Sequence, residues 1–291
     1  MEMRTALVVL LATLTFMLAG CAAAASPTVA SPAATAPSPS ATPEPAIPPA
    51  LSQDDLVGLP HVYYDALIPE LLDAASPGIA PEVTWQVATP IAAKTGIYAT
   101  ATPSSEPVGY IDATTVETPT ALPVYGTRSC WLLVGTPARS VLPSQSEGAP
   151  VAATFGWVRA ADFAVTEVES VVRVNVAEHA VSIETKDGEV TAAEQSLTLG
   201  SPEAPTPSAG TLSYVSAIYT DGESQPWTGG EPIALLGAHS ETLDFYNGDA
   251  GLTAIHYSTS GGSHSHGCVR VSAEIARIIG ALPVGTPVIF N

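Results

Sequence analysis

Between Val83 and Val168 the chain never sustains an apolar run for long before turn residues interrupt it. The runs read "TWQVAT", "TGIYAT", "VGYIDA", "SCWLLVG" and "FGWVRAADF". Short runs at this spacing predict short strands, and several in succession predict a small all-β barrel over residues 82–167. Trp131 and Trp157 are its expected packing aromatics.

After Thr166 the pattern lengthens. "SVVRVNVAEHAVSIETKDGEVTAAEQSLTLG" alternates apolar and polar residues, and "KDGE" predicts a hairpin turning at Asp187 and Gly188, with His179 exposed in the preceding turn. A Pro/Gly-rich loop, "SPEAPTPSAG", leads into further strand-like pieces, "PIALLGAHSETLDFYNG" and "GLTAIHY". One helix follows Ser272, a good N-cap: Glu274 suits the positive end of the helix dipole, and Ile275, Ile278, Ile279 and Leu282 fall on one face. "LPVGTPVIF" turns at Pro283 to Gly285 and closes with a strand. Residues 168–291 therefore read as a second, mostly-β domain. Residues 51–81 predict either an irregular segment or a short helix at "DALIPELLDAA", despite Pro69; His61 there has no partner signal.

The amino-terminal fifty residues belong to neither domain. "MEMRTALVVLLATLTFMLAG" sets a lone Arg4 before an apolar run too short for a comfortable membrane span, so residues 1–20 read as a signal peptide, the alternative being an uncleaved membrane helix. Residues 21–50 hold little but Ala, Ser, Thr and Pro after Cys21, a composition that cannot build a core and forms a semi-extended tether. "LAGC", ending at Cys21, resembles the lipobox of bacterial lipoproteins. That resemblance implies lipid on Cys21, an anchor in the cell membrane and an extracytoplasmic location facing the cell wall. With 9 basic against 28 acidic residues and a net charge of −19, a nucleic-acid partner is excluded, because phosphate recognition needs a basic face.

The three cysteines then separate. By that resemblance Cys21 carries lipid, and Cys130, in "CWLLVG", reads as a core residue. Cys268 stands in "IHYSTSGGSHSHGCVRVS", residues 255–272, too polar a setting for a core. A thiol with an ordinary pKa near 8.5 is only a few per cent thiolate at neutral pH, so a nucleophilic cysteine needs a base close by. His256, at the end of an apolar strand, offers one. Gly267 permits a tight turn whose N–H groups can serve as an oxyanion hole, and Arg270 can hold a carboxylate or brace the loop. A zinc site is the rival reading, with His264, His266, Cys268 and His256 as ligands. His239 is a further candidate neighbour.

The order strand-end His, glycine-rich loop, "SHGC", apolar residue, Arg and amphipathic helix resembles the L,D-transpeptidase catalytic domain. "PTPSAG" at Pro205 to Gly210 and the terminal "GTPVIF" fit as well. The resemblance implies an L,D-transpeptidase-type β-sandwich with Cys268 as nucleophile and His256 as general base. It implies that the Tyr257 carbonyl orients the imidazole, that Ser265, His266 and Gly267 shape the turn, and that Arg270 holds the turn or the substrate. No cofactor is implied, and carbapenems are the expected covalent inhibitors. The activity implied is peptidoglycan cross-linking by acyl transfer through a thioester, with stem peptides as partners. Hydrolysis through the same thioester (an L,D-carboxypeptidase) and a weakly active cell-wall binding lipoprotein are the alternatives. Two departures stand out: Tyr257 occupies a position usually Gly or Ser, and the loop from His256 to Cys268 is shorter than usual. In the first domain, "GIYATATPSSEPVGYID" and "GWVRAADF" resemble bacterial Src-homology-3-like domains, modules that often bind cell-wall peptides or glycans.

Overall fold

The computed structural model describes residues 47–149, 151–246, 250–260, 262 and 264–291. The signal segment, Cys21 and almost all of the tether lie outside the described residues. Among those described, the structure is mostly β, built on two larger sheets.

The first sheet has seven strands in the order β3-β2-β8-β7-β6-β1-β9, all antiparallel. They are β1 (Gln86–Pro90), β2 (Lys94–Tyr98), β3 (Pro107–Asp112), β6 (Leu122–Arg128), β7 (Trp131–Thr136), β8 (Thr154–Arg159) and β9 (Phe163–Glu167). The two-residue strands β4 (Thr114–Thr115) and β5 (Thr118–Pro119) pair separately. Each run is short because a turn residue ends it, and no run outlasts one crossing of the sheet. Trp131 and Trp157 are buried in an aromatic cluster with Tyr98, Tyr125 and Phe155, where Trp131 meets Tyr98 edge to face.

Two expectations change in this region. No helix forms at 65–75. The first helix is instead α1 (Gln53–Val57), capped by Ser52. Residues 61–72 run beside the first sheet through the isolated bridges His61↔Tyr110, Leu67↔Arg139 and Leu72↔Phe155, burying Val62, Ile68 and Leu71. Pro69 lacks an N–H and disfavours helical geometry in Ile68, so the apolar residues pack along strands instead. Cys130 is not in the core either. Arg128 pairs with Trp131, which leaves Ser129 and Cys130 as the tip of the β6–β7 hairpin, and Cys130 is half-buried there as a free thiol.

The second sheet has eight strands in the order β12-β11-β10-β17-β13-β14-β15-β16. They are β10 (Ser170–Asn175), β11 (Ala180–Thr185), β12 (Val190–Gln195), β13 (Leu212–Tyr219), β14 (Ile233–His239), β15 (Leu252–Tyr257), β16 (Val269–Val271) and β17 (Pro287–Phe290). The β11–β12 hairpin turns through Gly188 at φ +81°. Helix α2 (Ala273–Gly280) starts at Ser272, whose side chain accepts from the Ile275 N–H while its own N–H donates to the Glu194 carboxylate. Ile275 and Ile279 are buried against Leu236, Ile255 and Val271. Full burial of such a side chain contributes about 1.5–3 kcal/mol, which is what fixes this short helix to the sheet.

The two sheets are joined through buried contacts. Tyr214 of β13 is buried among residues of the first sheet, and the Tyr125 hydroxyl donates to the Ser213 carbonyl at 2.6 Å. His239, 1 % exposed at the end of β14, has Nδ1 3.0 Å from the Ala250 carbonyl and Nε2 2.7 Å from the Pro137 carbonyl. A neutral imidazole can donate to only one of them, so the two carbonyls together favour the cation. Burial opposes this more strongly, aided by the neighbouring Arg139 charge, and the His239 pKa falls to about 4. His239 therefore folds neutral. Between about pH 4 and 6.5 the unfolded chain binds a proton here that the folded chain does not, so stability is complete above the ordinary histidine pKa and is lost as pH falls toward 4. The expected loss is on the order of a few kcal/mol. Denaturant unfolding at several pH values checks it: His239→Gln, which does not titrate, should flatten the wild-type slope across that window.

Candidate active site

The site starts with a strand pairing. β15 and β16 are parallel, with Ile255 opposite Val269, His256 opposite Arg270 and Tyr257 opposite Val271. Parallel neighbours cannot be joined by a tight turn and need a crossover. Residues 258–268 make it, and that return brings Cys268 back beside the strand that carries His256. Side chains alternate across a sheet and paired residues share a face. Ile255, Val269 and Val271 enter the core, so His256 and Arg270 share the opposite face, and Cys268 directly precedes β16.

The turn before Cys268 is held by specific bonds. The Ser265 N–H donates to the Leu199 carbonyl at 2.8 Å, and the Arg270 N–H donates to the Thr198 carbonyl at 2.9 Å. Ser265 Oγ donates to the Cys268 carbonyl at 2.5 Å and accepts from the Gly267 N–H at 3.1 Å. Gly267 adopts φ +108°, and a Cβ there would sit 3.2 Å from the Pro205 carbonyl oxygen, so the position needs glycine twice over. Because the Gly267 N–H is engaged by Ser265, it shapes the turn rather than pointing to an oxyanion. The loop at Pro205 packs against this turn and donates a side chain nearby: Thr206 Oγ1 accepts from the Gly200 N–H.

His256 is 5 % exposed, and its Nδ1 lies 2.8 Å from the Tyr257 carbonyl. A carbonyl only accepts, so the neutral ring bears its proton on Nδ1 and leaves the lone pair on Nε2. Burial holds the His256 pKa below the ordinary value; the Tyr257 hydrogen bond opposes this and the Arg270 charge reinforces it. At neutral pH the ring is a base with its acceptor nitrogen available. The Tyr257 ring points to the other side of the strand, packing on the core of the second sheet, so it does not crowd the face of Cys268.

Arg270 is half-buried, and its Nε is buried without a hydrogen-bond partner among the described residues. His266 is exposed and faces outward, stacked on Tyr246 with ring centroids 4.1 Å apart. His264 is exposed near Glu203, whose pKa is lowered by a Ser201 hydrogen bond first and by His264 to a lesser degree. Among the described residues no group of three or more His, Cys, Asp or Glu is arranged to hold a metal ion. His239 does not join the site. It pairs with Leu252 at one end of the β14–β15 ladder, whereas His256 pairs with Ile233 at the other.

Trp227 was not foreseen. It lies in a 3-10 turn, Pro226–Thr228, before β14, and its ring meets the His256 ring edge to face at 4.7 Å and 70°. The Trp227 carbonyl accepts from both the Thr259 N–H and hydroxyl, which fastens the turn to the chain just after the histidine. A Trp between Pro and Gly signals a turn, but nothing in sequence links it to a histidine so far along the chain.

The second sheet, with His256 and Cys268 at its edge, forms a mostly-β domain of its own. Residues 169–290 match the model of the YkuD family, the L,D-transpeptidase catalytic domain. Among solved structures the chain is similar to an L,D-transpeptidase from Mycobacterium smegmatis, at 15 % identity and TM-score 0.30 over 55 % of this chain and 90 % of that one. It is also similar to L,D-transpeptidase 1 of Mycobacterium tuberculosis, at 17 % identity and TM-score 0.29 over 47 % and 77 %. The catalytic domain of an E. faecium L,D-transpeptidase is 21 % identical at TM-score 0.26 over 42 % and 96 %. No curated protein matches the chain.

If Trp227 provides much of the burial around His256, Trp227→Ala should raise the His256 pKa toward the ordinary histidine value, and Trp227→Phe should largely preserve the wild-type value. Imidazole proton chemical shifts followed against pH by NMR read this directly; an unchanged titration in Trp227→Ala would remove Trp227 from the account.

Proposed function

We propose that the protein is a peptidoglycan L,D-transpeptidase in which Cys268 is the nucleophile and His256 the general base. The single observation that carries the reading is the neutral His256 imidazole, its Nδ1 on the Tyr257 carbonyl, on the strand that pairs with β16 directly after Cys268. The family match over residues 169–290 supports it.

In this reading His256 Nε2 takes the Cys268 thiol proton as the sulfur attacks the carbonyl carbon between the diamino acid and the terminal D-alanine of a donor stem tetrapeptide. The tetrahedral adduct collapses, the C–N bond breaks, and the imidazolium returns its proton to the leaving D-alanine amine. The thioester then accepts the amine of a second stem. His256 takes a proton from that amine and gives it back to the departing sulfur, so atoms and charge balance over the cycle. Water in place of the amine gives the carboxypeptidase outcome. Arg270 braces the face on which this happens or meets a substrate carboxylate. With Cys21 lipidated, the chemistry takes place outside the membrane, at the end of the tether.

A carbapenem serves as probe. Intact-protein mass measurement should show one covalent adduct on the wild type and none on Cys268→Ala. His256→Ala should slow acylation by about 10²- to 10⁴-fold, while His264→Ala stays near the wild-type rate. Absence of an adduct on folded wild type would favour the binding-lipoprotein reading, and equal loss at both histidines together with stoichiometric zinc would favour the metal reading.

Labelling cells with a fatty-acid analogue tests the anchor. Wild type and Cys268→Ala should take the label and Cys21→Ser should not; an unlabelled wild type would replace the anchor by ordinary secretion.

A further inference from the structure

The described residues of the segment between β14 and β15 are held by their own domain, through Ser208 on Glu241 and Thr242 on the Glu203 carbonyl, and also from the first sheet. Arg139, just beyond β7 and only 2 % exposed, reaches across to it. Its Nε donates to the Ala250 carbonyl at 3.1 Å, its Nη1 to Ser240 at 3.2 Å, and its Nη2 to Leu243 and Ala250, both at 2.8 Å. A planar fork bonded to three carbonyls fixes a backbone path in a way no point charge can. Gly251 belongs to the same arrangement: it adopts φ +68°, and a Cβ there would lie 2.6 Å from Arg139 Nη2. A second fastening stands beside it, where the Ser144 N–H and hydroxyl both donate to the Asp244 carboxylate.

The held segment ends at the active site. Tyr246 stacks on His266 at 4.1 Å and 26°, and His266 is two residues before Cys268 in the turn that Ser265 and Gly267 form. The path thus runs from Arg139 to the Leu243 carbonyl, three residues along the backbone to Tyr246, and from its ring to His266 in the nucleophile's turn. Apart from Tyr246, His266 is exposed, and a turn held on one side only would leave the sulfur less well placed for attack.

We propose that Arg139 is a positioning residue for acyl transfer: it fixes the 240–246 backbone so that Tyr246 holds His266, and through it the turn carrying Cys268. This rests on the reading of Cys268 as nucleophile. The first module is then part of the catalytic apparatus as well as a neighbour of it.

The test is a double-mutant cycle on the full chain, read as single-turnover acylation by a carbapenem at saturation alongside thermal unfolding. Arg139→Met keeps the apolar stem and removes every donor. It should slow acylation at saturation about tenfold, a modest displacement of the reacting group, without a comparable change in the half-saturating concentration. Tyr246→Ala should slow it similarly and Tyr246→Phe should restore it, because only the ring is needed. The Arg139→Met, Tyr246→Ala double variant should be no slower than the slower single. Should Arg139→Met not fold, Arg139→Lys, which retains a cation but not the fork, takes its place with a smaller loss that Tyr246→Ala again masks. Independent, multiplying losses would overturn the proposal, as would an unchanged acylation rate in a variant whose unfolding temperature falls, since Arg139 would then merely join the modules. If the wild type is not acylated at all, the functional reading fails instead, and the same cycle is read in the alkylation rate of Cys268 by iodoacetamide, where the same masking supports the positioning role and additivity rejects it.

Discussion

The arrangement at the candidate active site depends on one parallel ladder. β15 and β16 are neighbours in the sheet, with Ile255 opposite Val269 and His256 opposite Arg270. Running parallel, they require a crossover, and the crossover delivers Cys268 to the edge where His256 already stands. The pleat then decides which side chains meet: Ile255, Val269 and Val271 go inward, and the polar set faces out together. A slip of one residue in this register would bury Arg270 and expose the valines.

Around that ladder the surroundings serve two different ends. The polar contacts fix geometry: Ser265 binds the turn to itself, Leu199 and Thr198 pin it to the sheet, and the Tyr257 carbonyl selects the imidazole tautomer. The apolar contacts set the protonation state. Burial holds the His256 pKa down and keeps the ring neutral, so that its Nε2 remains a base. His239 shows the same balance with no chemistry attached: two carbonyls favour its cation, yet burial beside Arg139 prevails. In both cases desolvation outweighs a main-chain hydrogen bond, because the bond stabilises one dipole while burial penalises a whole charge.

The turn chemistry of this chain was legible wherever it is local. The hairpin at Gly188, the Ser272 cap, the helix face of Ile275 and Ile279 and the strand character of both modules follow from patterns within a few residues. His256 and Arg270, read as chemically active, pair across the ladder that a strand-end histidine, a glycine turn and a short apolar strand imply. The stacking of Tyr246 on His266 was not legible because the two lie twenty positions apart. The segment around Pro69 misled because apolar spacing alone cannot tell a helix face from a strip packed along a sheet.

Alternation, turn residues and caps are properties of adjacent side chains and backbone, and from these follow the two mostly-β modules and the helix after Ser272. Which distant residues attend them was decided by the tertiary structure. Trp227 meets His256, Arg139 reaches the 240–250 segment and Tyr214 enters the neighbouring module only because separate elements pack together. Such contacts depend on where whole strands come to rest, and no spacing along the chain encodes that.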